Sequence, residues 1–291
     1  MKIIVIGAGG MAGHVIATYL RENDYSVDTL TARNKLDDNT ILMDVTDTPK
    51  FKSFLENNKY DVVINCIGML VKQSDERKDL ATYLNSYLPH FLEELYKNSK
   101  TKIIHLSTDC VFSGKKAPYN ENSWYDGELF YDRTKALGEI VNDKDLTFRM
   151  SIIGPDMQEN GIGLFNWFYA QTGTINGYTK AIWTGVTTIE LARAIKSAIE
   201  QDLTGLYHLV PNESISKFDL IKLFIKTFNR NDITVNPSDN VALNKTLINN
   251  RTDFNFKVPG YNKMITEMKN WIDRHDLYPH YMKGKNEKRN Q

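Results

Sequence analysis

An α/β fold, with a doubly wound parallel sheet and a smaller C-terminal α/β lobe, is predicted by three features of the sequence. Short apolar runs alternate with longer amphipathic stretches through the first half. A glycine-rich turn follows the first of those runs, and after Gly154 the alternation gives way to aromatic and glycine-punctuated segments. Short apolar strands separated by helices imply a parallel sheet covered on both faces, and right-handed crossovers then wind it doubly.

Taken in order, KIIVIGAG reads as the first strand and MAGHVIATYLREN as the helix after it. SVDTLTA and TILMDVTD read as the next strands, followed by the helical TPKFKSFLENNK. DVVINCIG, the helical KDLATYLNSYLPHFLEELYKNS and the strand KIIHLSTDCV continue the pattern. Helix YDRTKALGEIVND and strand LTFRMSIIG complete a first domain over residues 1–155. Beyond it, GLFNWFYAQTG and TINGYTKAIWTG lack the pattern of sheet strands. TIELARAIKSAIEQ and GLYHLV read as a helix and a strand that return to the first domain, over 186–211. Segments 156–185 and 212–281 form the expected substrate lobe, and the basic 282–291 reads as a disordered tail. A cleft between lobes is a natural ligand site.

A chain of 291 residues, 41% hydrophobic, can bury a substantial core. Its 36 basic and 36 acidic residues cancel, so neither nucleic acid nor an anionic membrane is expected as a partner. The N-terminus meets glycine too early for a signal peptide, and no apolar run approaches a membrane span; a cytoplasmic protein is expected. Cys66 and Cys110 sit in apolar contexts without metal-ligand spacing, which suits structural thiols in a reducing compartment. The six histidines show no ligand pair either, so no metal is expected.

VIGAGGMAG places Gly7, Gly10 and Gly13 three apart, between the first strand and the first helix. Gly7 permits a tight turn, Gly10 lets a phosphate approach backbone amides, and Gly13 allows close packing. With Met11 inside it, this turn reads as the pyrophosphate site of a Rossmann-type dinucleotide-binding domain. An acid at the tip of the second strand would hold the ribose hydroxyls and repel a 2′-phosphate. Here the tip reads LTARNK, and Asp28 falls within the strand. Arg33, near Lys35, suits a 2′-phosphate, so NADPH is the expected cofactor and NADH stays open. Asp44, followed by Val45, is placed either to reach the adenine amino group or to cap the next turn.

Thr108 closes the run KIIHLST, at the carboxyl end of a central strand where open parallel sheets bind ligands. Tyr131 and Lys135 are one helical turn apart and share a face. A Lys135 ammonium would stabilise a Tyr131 phenolate and draw its pKa toward neutrality, and Thr108 would hydrogen-bond the same substrate oxygen. Such a set protonates a carbonyl oxygen as hydride reaches its carbon. Asp109, which follows Thr108 directly, is expected to contact the substrate as well. Trp167 and Trp183 are candidates either for the core or for stacking on a base or sugar; Trp183 is taken as a substrate contact.

GAGGMAG, DVTD, VVINCIG, LSTDCVFSG, PYNE and YDRTKALGE together resemble an extended short-chain dehydrogenase/reductase, most similar to its dTDP-4-dehydrorhamnose reductase branch. The resemblance is dense over the first half and looser through TFRMSIIGP and GVTTIELARAI. It implies NAD(P)H-dependent reduction of a nucleotide-linked 4-keto deoxysugar in cell-surface polysaccharide assembly. Thr108, Tyr131 and Lys135 take the family's catalytic positions. Asn65, Cys66, Ile67 and Gly68 take those of the strand-end loop beside the cofactor, and Asn85 that of the asparagine supporting the active site. Asp132 stands where the branch usually carries glycine, and GYTKAIWTGVTT suggests a variant subgroup.

Two other functions share these residues. A sugar-nucleotide epimerase or dehydratase would use the same Tyr and Lys with a regenerated cofactor, and TDC supplies only half of the acidic pair that a dehydratase uses. A regulatory subunit would bind dinucleotide without catalysis, against which the intact Thr108, Tyr131 and Lys135 count. A homodimer is compatible with the sequence, which encodes no oligomeric state.

Overall fold

The structure is a computed structural model and describes residues 1–281; the tail expected over 282–291 lies outside the described residues. Strands β1 (Lys2–Ile6), β2 (Ser26–Thr31), β3 (Thr40–Leu42), β4 (Val62–Asn65), β5 (Lys102–Thr108) and β6 (Leu146–Met150) form the first half. They alternate with helices α1 (Gly13–Glu22), α2 (Thr48–Asn57), α3 (Val71–Glu76), α4 (Lys78–Thr82), α5 (Leu88–Tyr96) and α6 (Phe130–Leu137). The second half runs β7 (Ile152–Ile153), α7 (Leu164–Tyr169), β8 (Gly173–Trp183), β9 (Val186–Thr187), α8 (Thr188–Glu200) and β10 (Gly205–His208). It ends with β11 (Ile215–Ser216), α9 (Lys217–Phe228), β12 (Ile233–Asn244) and α10 (Tyr261–Arg274).

Seven parallel strands in the order β10-β6-β5-β4-β1-β2-β3 make the doubly wound sheet. The chain winds outward one way from β1 and the other way from β4, so the crevice for a ligand opens at their carboxyl ends. Alternate residues of β1 serve opposite faces. Ile3 and Val5 pack with Val15, Ile16, Ile195 and Phe148, while Ile4 and Ile6 pack with Phe51, Leu55, Leu92 and Ile103. The first of these cores continues without a break through Trp183 and Phe224 to Met264, Trp271 and Tyr281. The two lobes therefore share one apolar interior. Among the described residues, no helix is long and apolar enough to cross a membrane.

Two segments differ from the sequence expectation. TINGYTKAIW, read as non-strand, is β8, the centre of a three-stranded sheet in the order β11-β8-β12. Its alternation is real, with Ile175, Gly177, Ala181 and Trp183 buried. It is masked because one inward position is a glycine: a Cβ on Gly177 would stand 2.9 Å from the Phe218 Cα of α9. Small side chains at inward positions let α9 lie close, and they erase the apolar signal.

The stretch read as one helix over KDLATYLNSYLPHFLEELYKNS is α4 and α5 joined by a π-helical turn, Tyr83–Tyr87. π turns are short and frequent at functional sites; here the turn carries the buried Asn85. The end of α6 lies hard against it, because a Cβ on Gly138 would fall 1.9 Å from the Asn85 carbonyl oxygen. Gly138→Ala is therefore expected to destabilise the fold by about 1–3 kcal/mol, the usual cost of forcing atoms into a packed contact. A lowered urea midpoint at unchanged slope would show it, and an unshifted midpoint would show that the turn gives way freely.

Candidate active site

Gly7 follows β1 at φ +80°, a conformation that favours glycine. Its N–H and that of Ala8 donate to the Leu30 carbonyl of β2, at 2.9 and 3.2 Å. A Cβ on Gly7 would lie 2.8 Å from Ile67 Cγ1, so the turn rests on the loop that carries Cys66 and Ile67. A Cβ on Gly13 would strike the Gly7 carbonyl oxygen at 2.4 Å, whereas one on Gly10 would meet only that same oxygen, at 3.5 Å. The turn is thus closed on its protein side and open above Gly10, a cradle of the shape and polarity that a pyrophosphate needs at a helix N-terminus. Met11 reaches toward the second lobe, its Sδ 3.5 Å from where a Cβ on Gly163 would sit.

A brace for this turn was missed in the sequence. His14 Nδ1 donates to the Gly10 carbonyl at 2.8 Å, and its Nε2 meets the Tyr278 hydroxyl at 2.8 Å. Trp271 Nε1 also donates to that hydroxyl, at 2.9 Å. The last described turn of the chain thereby fixes the first loop, a contact across the whole sequence that no local pattern announces.

At the tip of β2, Arg33 is exposed and faces Asp44. Asp28 lies inside the strand, where it pairs with Lys2 at 3.1 Å and accepts the Tyr60 hydroxyl at 2.8 Å. Among the described residues, those directly after β2 are Ala32, Arg33 and Asn34, none of them a carboxylate. Asp44 Oδ1 accepts the Thr46 N–H and hydroxyl at 2.9 and 2.8 Å, bonds that hold its carboxyl below the ordinary range. The capping role weighed for Asp44 is thus the one its hydrogen bonds fulfil. Val45 is buried, and its carbonyl accepts the Tyr83 hydroxyl at 2.9 Å.

Thr108 is the last residue of β5, and its Oγ1 accepts the Cys110 N–H at 3.1 Å. Tyr131 and Lys135 lie on the buried face of α6, and the Thr108 hydroxyl faces the phenol as a partner for its anion. Asp132 Oδ2 accepts the Leu129 N–H at 3.2 Å, so the residue that replaces the expected glycine caps the start of α6.

Lys135 Nζ donates to the Leu106 carbonyl at 2.7 Å and lies 3.3 Å from His105 Nε2. Burial lowers its pKa to about 8, against the pull of Glu139. Tyr131 corrects an expectation. Burial raises its pKa, and Cys110, Asp109 and Asp132 push the same way. The lysine's hydrogen bonds run to β5, and the phenol is not drawn toward neutrality; it stays protonated.

Asn85 ties the strand-end loop to α6. Its Oδ1 accepts the Met69 N–H at 2.8 Å, and its Nδ2 donates to the Met69 carbonyl and the Thr134 hydroxyl, both at 3.2 Å. A Cβ on Gly68 would lie 3.5 Å from Asn85 Oδ1 and 4.0 Å from Lys135 Nζ, so the loop, the π turn and α6 converge there.

From the second lobe, Lys217 at the start of α9 and Lys245 after β12 bring positive charge to Asp109. Burial still raises the Asp109 pKa. Burial lifts the thiols of Cys66 and Cys110 to about 12, so both are protonated at neutral pH. Trp183 corrects the other expectation. It is 4% exposed, its Nε1 donates to Ser151 Oγ at 2.8 Å, and its ring packs on Tyr261. This tryptophan is core. Trp167, 43% exposed on α7, is the accessible indole of the two.

Comparison with known proteins agrees with this architecture. A probable low-salt glycan biosynthesis reductase of Haloferax volcanii is 25% identical over 232 residues, 75% of this chain and 77% of that protein. The dTDP-4-dehydrorhamnose reductase of Mycolicibacterium smegmatis is 30% identical over 141 residues, which span 47% of this chain but only 40% of that one. The dTDP-4-dehydrorhamnose reductase of Bacillus anthracis, solved in complex with NADP, superposes with a TM-score of 0.78 at 19% identity, over 93% of this chain and 99% of the other. At that identity the likeness establishes the fold. The model of the RmlD substrate binding domain matches residues 1–249. With a match over most of its length, on a Rossmann-type sheet with the glycine turn in place, the chain belongs to the RmlD substrate binding domain family.

Proposed function

We propose that the chain is an NAD(P)H-dependent reductase of a nucleotide-linked 4-keto-6-deoxy sugar, working in the cytoplasm in cell-surface polysaccharide assembly, with Tyr131 as proton donor. The observation that carries this reading is the meeting of Thr108, Tyr131 and Lys135 beside the loop on which the glycine turn rests. The names of the relatives support the substrate class.

Gly7, Gly10, Met11 and Gly13 would hold the pyrophosphate of the dinucleotide, and Arg33 a 2′-phosphate. Asp44 and Val45 would flank the adenine, with Cys66, Ile67, Gly68, Asn85, Tyr131 and Lys135 at the other end. The nicotinamide, when bound, supplies the hydride. Tyr131, kept protonated by burial, gives its phenol proton to the carbonyl oxygen. Thr108 orients that oxygen through its hydroxyl, and a Lys135 ammonium offsets the phenolate that remains. Lys217 and Lys245, with Asp109 between the lobes, suit the charged linkage of a nucleotide sugar. The position after Asp109 holds a protonated thiol, so the acidic pair of a dehydratase is incomplete there.

NADPH oxidation on a panel of nucleotide 4-keto sugars tests the proposal. Turnover without net oxidation would make the protein an epimerase, and dinucleotide binding without turnover would make it a regulatory subunit. Tyr131→Phe should leave cofactor binding intact and cut kcat at least ~100-fold, within the range of general acid catalysis; near-normal turnover would remove Tyr131 as donor.

Reduction needs the ammonium form of Lys135, whose pKa lies near 8, and the phenol titrates higher. The rate should therefore be full below that value and fall as pH rises through it. A kcat/KM profile flat to pH 10, about two units beyond the lysine's value, would refute the assignment.

Arg33→Ala should weaken NADPH binding more than NADH binding, by ~1–3 kcal/mol for a lost charge-assisted phosphate contact. Equal losses in a fluorescence titration would return Arg33 to an ordinary loop residue.

A further inference from the structure

Behind Lys135, a hydrogen-bond chain ends in the core, and one arrangement of protons satisfies all of it. Asn65 and His105 are neighbours in the β4–β5 register, and both are fully buried. Asn65 Oδ1 accepts the Ile67 N–H at 3.1 Å. That bond fixes the amide's orientation and leaves its Nδ2 donor 3.2 Å from His105 Nδ1. On the far side of the ring, Nε2 lies 3.3 Å from Lys135 Nζ. A neutral imidazole has one donor nitrogen and one acceptor. Between an amide NH2 and an ammonium, one of its two contacts must set donor against donor. Ionising the ring would make both contacts bad, and burial together with Lys135 opposes it. The conflict disappears when Nδ1 accepts from Asn65, Nε2 carries the hydrogen, and a neutral Lys135 amine accepts it. The amine still donates to the Leu106 carbonyl at 2.7 Å.

We propose that His105 is a positioning residue for Lys135: held by Asn65 in its Nε2–H tautomer, it aims a hydrogen-bond donor at the lysine and disfavours the ammonium. This inference rests on the reading of Tyr131 and Lys135 as the proton-handling pair. The titratable groups around the lysine are Tyr131 on its own helix, Glu139 just past that helix's end, His105 on β5 and Cys66 beyond β4; His90 on α5 acts on His105. Glu139 favours the ammonium, and the Cys66 thiol is protonated across the range that matters. Beyond His105 the chain closes on Asn65 and the Ile67 amide, so the histidine has no outlet for a proton. It sets the lysine's charge and does not relay.

Two measurements test the proposal. In protein labelled with 15N-histidine, the His105 ring shifts should report protonated Nε2 and bare Nδ1, and should move with a midpoint near pH 8 as Lys135 titrates. In His105→Gln, the side-chain carbonyl can accept from an ammonium, so the alkaline limb of kcat/KM should move up by about one pH unit. A ring found in the Nδ1–H tautomer overturns the proposal. So does an unmoved limb in a His105→Gln variant that folds with native circular dichroism; a merely structural role would lower activity equally at every pH. Should that variant fail to fold, the tautomer measurement decides alone. Failure of the Tyr131 reading would appear separately, as turnover surviving in Tyr131→Phe with the histidine signal unchanged.

Discussion

The placement of the site depends on one buried ion pair. Arg149, next to last in β6, is fully buried and donates from Nε to Glu139 Oε1 at 2.9 Å and from Nη2 to Oε2 at 2.5 Å. Its third arm, Nη1, donates to His208 Nε2 at 2.8 Å, and the Phe112 and Tyr125 rings lie over the guanidinium. The carboxylate also accepts from Ser107 and Tyr125, at 2.5 and 2.8 Å. All three guanidinium nitrogens and both carboxylate oxygens of the pair are thus hydrogen-bonded, the condition under which such a pair offsets its desolvation. Removing one partner from a buried pair typically costs ~3–5 kcal/mol, because the other charge is left uncompensated.

The register explains why this pair reaches the chemistry. Ser107, Arg149 and His208 stand side by side on β5, β6 and β10, and Thr108 follows Ser107 directly. Glu139 lies two residues past the end of α6, the helix that carries Tyr131 and Lys135, so its anchor sets the height of α6 against the end of β5. Burial and Arg149 lower the His208 pKa to about 3, which keeps the ring neutral. Its Nδ1 donates to the Ile248 carbonyl at 2.9 Å, and so ties the segment after β12 to the same row. Lys245 belongs to that segment.

The sheet, the glycine turn and the positions of Thr108, Tyr131 and Lys135 were legible because each leaves a local mark: alternation, spaced glycines, a shared helix face. The supporting groups leave marks too, of a kind easily passed over. Arg149 in LTFRMS and His105 in KIIHLS are charged or titratable residues inside apolar strands, positions that are held only with a buried partner. Their partners lie on other elements, so the sequence shows that a partner is needed without showing which. β8 was illegible because Gly177 replaced an apolar residue where α9 comes close. The π turn was hidden because its consequence, the contact of Asn85 with Gly138, joins two segments far apart in sequence.

Trp183 shows how a correct residue can be given the wrong task. An indole near a cleft suggests stacking on a base, yet this one is held by Ser151, Tyr261 and the packing of β8. A Cβ on Gly185 would strike its ring at 2.4 Å, so the indole is closed in on that side by its own chain. Over the ring stands Lys217 Nζ, 5.6 Å from the centroid. A cation over an indole is favoured by the ring's charge distribution, the more so when water is excluded. The tryptophan therefore serves as a floor for the lysine that faces Asp109, and burial lowers that lysine's pKa without costing it its partners. The aromatic contribution to the cleft is indirect: it places a charge there from a lobe whose sequence gave no sign of one.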